Sequence, residues 1–263
     1  IDYIRKIFRK TAKVFQYKEI VTPIFEKAGL FERSVGDTSD IIQKEMYKFP
    51  DKKNRIFALR PEGTAPVVRA YIENNLGSLS ENSKLFYIGP MFRYDRPQKG
   101  RYRQFFQYGI ENIGSDSAFT DAEVIALGYN FLKGLGLKNF VLEINNIGCS
   151  NCSTDLDEAL KDYFKPHLDE LCRDCKIRLY KNPKRILDCK VKVCKKIAED
   201  APVILDYLDE ECKTHFDEVK KYLDIFEVPY IVNPKIVRGL DYYSKTAFEF
   251  IDSNLGAQNT LIG

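Results

Sequence analysis

The side chains with the clearest chemical potential occupy alternate positions in the segment Arg103–Ile113. Alternate residues of a β-strand point to the same face, so one face would carry a carboxylate, an amide and a position without a side chain. The residues of this face are Arg103, Phe105, Gln107, Gly109 and Glu111. The opposite face carries Phe106, Tyr108, Ile110 and Asn112. The first face can hold a small polar ligand, although a surface hairpin with a solvated, charged tip would show the same spacing.

A basic loop, Asp95–Tyr102, joins this segment to an earlier apolar segment that begins at Leu85. The loop carries Arg96, Lys99 and Arg101. Guanidinium and ammonium groups bind phosphates well, so the pattern predicts a β-hairpin with a phosphate-binding tip.

Two other segments combine polar residues in unusual ways. The sequence RPEGTA, residues 60–65, precedes a helical pattern that runs to Asn75. A capped helix start would explain it equally well, because Pro and Glu are common there. The sequence RGLDYY, residues 238–243, precedes a strand pattern that begins near Lys245, and a turn with an ion pair and aromatic residues would account for it.

The residues of these segments, taken together, resemble one enzyme family. FRYDRPQKGRYRQFFQYGIENIG, residues 92–114, is similar to motif 2 of class II aminoacyl-tRNA synthetases in its histidyl-tRNA synthetase form. RPEGT and RGLDYY resemble two further elements of that family, in the same order. EIVTP, residues 19–23, falls where motif 1 would lie. The resemblance implies an α+β fold with an antiparallel catalytic sheet flanked by helices, and a homodimer formed through motif 1.

The resemblance also implies roles for three arginines. Arg93 would bind the α-phosphate of ATP and the carboxylate of histidine, while Arg238 would flank the same phosphate from the opposite side. Arg101 would reach the γ-phosphate. Adenylation needs positioning and charge neutralisation more than proton transfer, which suits paired guanidinium groups.

The remaining matched residues would surround histidine: Glu62, Gly63, Thr64, Gln107, Glu111, Tyr242 and Tyr243. Glu111 and Tyr243 would hold the two imidazole nitrogens, and Gln107, Glu62 and Thr64 would hold the α-ammonium group. Such paired polar recognition rejects analogues that lack the imidazole, because a buried carboxylate would be left unpaired.

The implied activity is histidine–tRNA ligation, in which histidine and ATP form histidyl-adenylate and the histidyl group passes to tRNA(His). Mg²⁺ would accompany the ATP. One alternative is a catalytically inactive, histidine-sensing regulatory paralogue of histidine biosynthesis. Such paralogues usually lose part of the set that contains Arg93, Gln107, Glu111 and RGLDYY, and the intact set favours the ligase. A zinc-dependent nucleic-acid-binding module would leave the matches at residues 92–114 and at RGLDYY unexplained.

The composition fits a globular protein that does not span a membrane. The 263 residues carry a formal net charge of +3, so any nucleic-acid-binding surface must be local. No apolar run approaches the roughly 20 residues of a membrane span. Seven cysteines without a secretory signal predict a reducing, cytoplasmic location.

Six of the cysteines cluster in one part of the sequence: Cys149, Cys152, Cys172, Cys175, Cys189 and Cys194. Two CxxC pairs about twenty residues apart fit the spacing of a tetrahedral zinc site. Against zinc, Cys172 and Cys175 lie in a helical pattern where they could simply pack in a core. Cys212 looks like a buried, unpaired thiol, and neither His167 nor His215 has a ligand-like pattern. Zinc is therefore left open.

Periodicity predicts the remaining elements and three regions. Helical patterns cover residues 1–17, 25–35, 119–135, 166–179 and 212–226, and strand patterns cover residues 19–23, 46–49, 55–59 and 140–144. The basic face of the first helix suits solvent better than tRNA. We expect a catalytic core at 1–148, a helical Cys-rich insertion at 149–229 and a return to the core at 230–263. In the resembled family, this insertion lies near the tRNA acceptor arm.

The resemblance also predicts that the sequence is a piece of a catalytic domain. Motif 3, which supplies an ATP-binding arginine, would follow Gly263, and an anticodon-binding domain would follow that motif. We therefore expect weak or no adenylation by these residues alone.

Overall fold

A computed structural model describes residues 1–35, 44–96, 100–187, 189–236, 243–255 and 259–263. The helices are α1 Asp2–Val14, α2 Ala28–Val35, α3 Thr64–Glu73, α4 Ala118–Gly134, α5 Ser150–Phe164, α6 Arg173–Lys181, α7 Lys192–Ile197 and α8 Glu210–Ile225. The strands are β1 Lys18–Glu19, β2 Phe25–Lys27, β3 Lys48–Pro50, β4 Ile56–Leu59, β5 Ser83–Phe92, β6 Gln104–Ile113, β7 Val141–Asn146, β8 Ile231–Val232, β9 Thr246–Ile251 and β10 Thr260–Ile262. The predicted α+β class is confirmed, with mainly antiparallel pairing.

The chain divides into two compact units, the first containing Ile1–Lys138 and the second beginning at Asn139. The first unit holds two three-stranded sheets, in the orders β1-β5-β6 and β2-β4-β3. The second holds the sheet β10-β9-β7-β8 and helices α5–α8. The three-region division drawn from composition stays a prediction.

The hairpin β5–β6 is the framework of the first unit, and its two faces are those that alternation predicts. On one face, Phe8 of α1 packs edge-on against Phe86 and Tyr108, with ring centroids 5.7 Å and 5.4 Å away. Phe131 of α4 lies 5.0 Å from Phe8 and closes this core. On the other face, buried Val67 of α3 belongs to the core that covers the hairpin. The second face is therefore the one that carries the polar positions of β6.

The second three-stranded sheet corrects one prediction. Residues 25–27 form strand β2 instead of the start of a helix, and helix α2 begins only at Ala28. The cause is tertiary, because β2 pairs with β4 and the Phe25 ring packs 5.7 Å from Phe57 and 6.2 Å from Phe49. Cross-strand aromatic pairs of this kind stabilise a sheet and outweigh local helical spacing.

Residues 19–23 also differ from their predicted strand. Only Lys18–Glu19 pairs with β5, and Ile20 still donates its N–H to Phe86 O at 2.8 Å. Beyond that point, the Thr22 and Pro23 carbonyls accept hydrogen bonds from a side chain instead of a neighbouring strand. The strand therefore ends early.

The Cys-rich region of the second unit is helical, as predicted, but one helix is interrupted. The pattern at 166–179 contains a short 3₁₀ turn at Lys165–His167, and α6 starts only at Arg173, with extended Cys172 as its N-cap. Pro166 has no N–H to continue the helical ladder of α5, which accounts for the end of α5 at Phe164. Thiols and aliphatic side chains of α5–α8 share one buried core.

Candidate functional site

The carboxylate of Glu62 caps the amino-terminal end of α3. Its Oε2 accepts the N–H of Thr64 at 2.6 Å, and its Oε1 accepts the N–H of Ala65 at 3.0 Å. These N–H groups have no partner within the helix, so the carboxylate satisfies them and complements the helix dipole. Burial raises the pKa of Glu62, although these hydrogen bonds and Arg93 oppose the rise. The capping interpretation of RPEGTA is therefore correct and leaves room for a ligand role.

Thr64 links this helix end to the polar face of β6. Its hydroxyl donates to Glu111 Oε1 at 2.8 Å. Burial is the main cause that raises the pKa of Glu111 to about 7, and the nearby Glu62 carboxylate adds to it, while the Thr64 hydrogen bond acts in the opposite direction. Two carboxyl groups and a hydroxyl, from two segments far apart in sequence, therefore meet where an ammonium or imidazole group could bind.

Gln107 lies on the same face of β6, four residues before Glu111. Within the described residues, its Oε1 atom is buried and has no hydrogen-bond partner. A buried amide oxygen without a partner costs free energy, so such an atom often marks a ligand-binding position. Its placement suits an acceptor for an N–H donor of a small molecule.

The space above Gly109, expected to receive a ligand, instead holds the ring of Tyr87. The register pairs Tyr87 with Gly109, and a β-carbon at Gly109 or at Gly63 would overlap that ring. The ring is 9% exposed and lies between strand β6 and the start of α3. Sequence reasoning missed Tyr87, although the hairpin register, once known, would have placed it opposite the glycine.

Arg93 lies just beyond β5, close to the same helix start. Its Nε donates to Pro61 O at 2.9 Å, and its guanidinium lies 5.2 Å from the centroid of the Phe105 ring. Burial lowers the pKa of this guanidinium, while Glu45, Glu62 and Asp95 oppose the change. A half-buried guanidinium held in this way can bind an oxyanion in a fixed orientation.

The remaining predicted phosphate and histidine residues are Arg101, Arg238, Tyr242 and Tyr243. Arg101 is exposed, and its Nη1 forms an ion pair with Asp95 at 3.2 Å. Arg238 and Tyr242 lie outside the described residues. Tyr243 is described, with 38% exposure, and it belongs to the second unit.

Arg60 is a further residue that sequence reasoning left without a role. It is 6% exposed, and it donates to Pro90 O at 2.9 Å and to Thr22 O at 2.9 Å. A β-carbon at Gly89 would overlap its guanidinium. Arg60 therefore joins the segment that resembles motif 1 to strand β5, and it fixes the backbone that leads into Glu62.

The cysteines form two groups, and these differ from the grouping that the CxxC spacing alone suggested. One group contains Cys172, Cys175, Cys189 and Cys194, and the other contains Cys149, Cys152, Asp209 and Cys212. The two CxxC pairs are therefore not combined in one site, and Cys212 is not isolated. The physical reason is the fold, because α8 brings Cys212 to the start of α5.

No helix in the described part of the chain is long and apolar enough to cross a membrane.

The family model described as histidyl-tRNA synthetase matches residues 1–260. The chain belongs to the histidyl-tRNA synthetase family. The resemblance stated from the sequence motifs is therefore confirmed at the level of the family, and so is the α+β fold.

Known members of the histidyl-tRNA synthetase family match all or nearly all of the chain. The chain is 54% identical to the histidine–tRNA ligase of Protochlamydia amoebophila (strain UWE25), a match that covers 100% of the chain and 62% of the relative. The structure of apo S. aureus histidyl-tRNA synthetase superposes with a TM-score of 0.75 at 41% identity, over 95% of this chain and 57% of that one. The chain thus spans less than two thirds of the length of these relatives.

A third similar protein is described as an ATP phosphoribosyltransferase regulatory subunit/histidyl-tRNA synthetase from Bacillus halodurans C. It matches at only 25% identity, with a TM-score of 0.67, over 96% of this chain and 68% of that one. The histidine–tRNA ligase of Protochlamydia amoebophila and the S. aureus histidyl-tRNA synthetase are more similar to this chain in sequence than this protein is.

Proposed function

We propose that this chain is part of a histidine–tRNA ligase, and that its site binds histidine and ATP for adenylation. The observation that carries the proposal is the Thr64–Glu111 hydrogen bond of 2.8 Å beside Gln107, whose buried amide oxygen has no partner among the described residues. These are the positions that match the histidine-binding residues of the family. A cluster of acceptors at a helix start suits a ligand that carries both an ammonium group and an imidazole.

Histidine recognition would divide between the two ends of this cluster. The α-ammonium group has three N–H donors, and the Gln107, Glu62 and Thr64 oxygens would accept them. Glu111 would bind one imidazole nitrogen. Because its pKa is about 7, both of its protonation states are accessible near neutral pH, so it can accept from an imidazole N–H or donate to an unprotonated nitrogen.

The chemical step would be attack by a histidine carboxylate oxygen on the α-phosphorus of ATP, with pyrophosphate as the leaving group. Arg93 would hold the carboxylate and the α-phosphate together and offset their repulsion. Arg238 and Tyr243 would act from the segment that matches RGLDYY, and Arg101 would bind the γ-phosphate. Mg²⁺ would be held mainly by the phosphates that arrive with it. The adenylate would then transfer histidine to tRNA(His).

Homodimer formation through motif 1 is part of the same proposal. Val21, Ile24 and Phe25 are 85%, 46% and 52% exposed although they are large and apolar. Such residues, close together in sequence, are typical of a surface that another subunit covers. Analytical ultracentrifugation tests this proposal. The unmodified chain should sediment as a dimer, and Val21→Asp should sediment as a monomer. We also propose a cytoplasmic location, where ATP and tRNA are available and thiols stay reduced.

Histidine binding, measured by calorimetry, and ATP–pyrophosphate exchange test the function. We expect binding of histidine but not of alanine, and a loss of at least about tenfold in Gln107→Leu, because a hydrogen bond to a charged group is removed. Gln104→Leu, an exposed glutamine on the same strand, is the matched control and should bind normally.

Exchange should be assayed with the 263-residue chain and with a version extended to the length of its relatives. Exchange that depends on histidine, in the extended version, would support the ligase. A folded chain that binds no histidine would refute the proposal. Histidine binding without exchange in the extended version would favour the regulatory paralogue instead.

A further inference from the structure

Four thiols of the second unit converge on one point. The Sγ atoms of Cys172, Cys175, Cys189 and Cys194 all lie within 4.8 Å of one another, and those of Cys172 and Cys189 are 3.9 Å apart. In a tetrahedral site with zinc–sulfur bonds of about 2.3 Å, the sulfur atoms are about 3.8 Å apart. The cluster therefore already has the dimensions of a zinc site, and all four thiols are free.

The surroundings of this cluster suit thiolates. The backbone N–H of Cys172 points to Cys194 Sγ at 3.2 Å, and the Arg178 guanidinium lies 4.0 Å from Cys175 Sγ. Four thiolates around a divalent cation leave a net charge of about −2, which N–H donors and a guanidinium offset. Thiols that merely pack in a core have no reason to point at a common centre that is lined with donors.

We propose that Cys172, Cys175, Cys189 and Cys194 bind one Zn²⁺ in a closed, structural site. Four sulfur ligands in tetrahedral arrangement favour zinc over harder cations, and they leave no open position for catalysis. The elements joined in this way are short: α6 has nine residues, α7 has six, and Cys189 lies outside both. Helices of this length are not stable alone, so a metal that holds them together would contribute directly to folding.

A separate set of contacts carries a second site of the same kind. Cys149, Cys152 and Cys212 lie with Asp209 inside the same 4.8 Å limit, and the Sγ atoms of Cys149 and Cys152 are 3.6 Å apart. Asp209 Oδ2 lies 3.1 Å from Cys149 Sγ, while its backbone N–H points to Cys152 Sγ at 3.2 Å. The geometry points to a second zinc ion with three thiolates and one carboxylate.

The backbone around the second group is shaped as a tight turn. Gly148 has φ of +73°, and a β-carbon there would lie 2.6 Å from the β-carbon of Cys152. The side chain of buried Asn146 accepts the Gly148 N–H at 2.7 Å and donates to Cys212 O at 2.8 Å. Asn146 therefore holds the two chain segments that carry the three thiols, and glycine is the residue that such a turn requires.

The test begins with the metal content of the 263-residue chain, purified without chelators. We expect two zinc ions per chain by inductively coupled plasma mass spectrometry. Cobalt loaded in place of zinc should give the strong thiolate-to-metal absorption and visible bands of tetrahedral sites. Cys194→Ser should lose one metal and Cys149→Ser the other, and Cys189→His, which restores a ligand, should keep two. His167→Ala, an exposed residue outside both groups, is the control.

Each of the other outcomes would overturn part or all of the proposal. A folded, metal-free chain with seven reactive thiols, whose thermal midpoint is unchanged by added zinc or chelator, would show that the thiols only pack. Disulfides among these cysteines, seen by mass spectrometry after alkylation, would exclude both sites. One zinc ion per chain, lost in Cys194→Ser and retained in Cys149→Ser, would overturn the second site alone. The metal content of the unmodified chain decides the question even where a variant does not fold.

Discussion

The raised pKa of Glu111 makes the stability of the first unit depend on pH. Ordinary glutamate loses its proton near pH 4.5, whereas Glu111 in the folded chain loses it near pH 7. Between these values the folded state binds more protons than the unfolded state, so the free energy of unfolding falls as the pH rises. The stabilising contribution is complete below about pH 4.5 and is lost as the pH passes through about 7.

The magnitude follows from the two acid constants. Each tenfold difference is worth about 1.4 kcal/mol, which gives about 3 kcal/mol for the whole interval. Because the residue is only partly buried, we expect about 2 kcal/mol after solvent screening. Glu111→Gln keeps an oxygen that can accept from Thr64 but carries no charge. Compared with the variant, the unmodified chain should therefore lose about 2 kcal/mol between pH 5 and pH 8.

Urea unfolding at several pH values, followed by circular dichroism, measures this difference. Subtracting the free energy of unfolding of Glu111→Gln from that of the unmodified chain cancels the contributions of the other titrating groups, including the thiols, because both proteins share them. Glu158→Gln, on an exposed turn of α5, is the control and should follow the unmodified chain at every pH. A constant difference between Glu111→Gln and the unmodified chain from pH 5 to pH 8 would show that Glu111 titrates normally and that burial does not govern the site.

Three further substitutions test the scaffold, each by urea unfolding. Gly109→Ala should cost about 1–3 kcal/mol because its methyl group would displace the ring behind it, whereas Gly29→Ala, which meets no atom closer than 4.0 Å, should be neutral or stabilising. Arg60→Gln should cost about 3 kcal/mol, since buried carbonyls lose their donor. Arg9→Ala should cost less than about 1 kcal/mol, because its ion pair with Glu19 is exposed. An effect as large as that of Arg60→Gln would contradict this expectation.

Features that depend on local periodicity were predictable from the sequence. The two faces of β6 follow from strand alternation alone, and the structure places Tyr108 against Phe8 on one face and Glu111 against Thr64 on the other. The amphipathic helix at the amino terminus was predicted from another local pattern, the helical spacing of its apolar residues. Tyr87 and Arg60 were not predicted, because their positions depend on the register between segments that lie far apart in sequence.

The cysteines show most clearly why sequence distance is a poor guide to a site. Each CxxC pair is local, but its partners are chosen by the fold: Cys149 and Cys152 meet Cys212, about sixty residues away, instead of Cys172, about twenty residues away. Closing a loop three times longer costs only about 1 kcal/mol more, because the entropy of closure grows with the logarithm of length. Burial of the apolar core of α5–α8 contributes much more free energy than this small difference in closure entropy. Packing therefore decides which thiols meet, and spacing alone could suggest zinc but not the ligand sets.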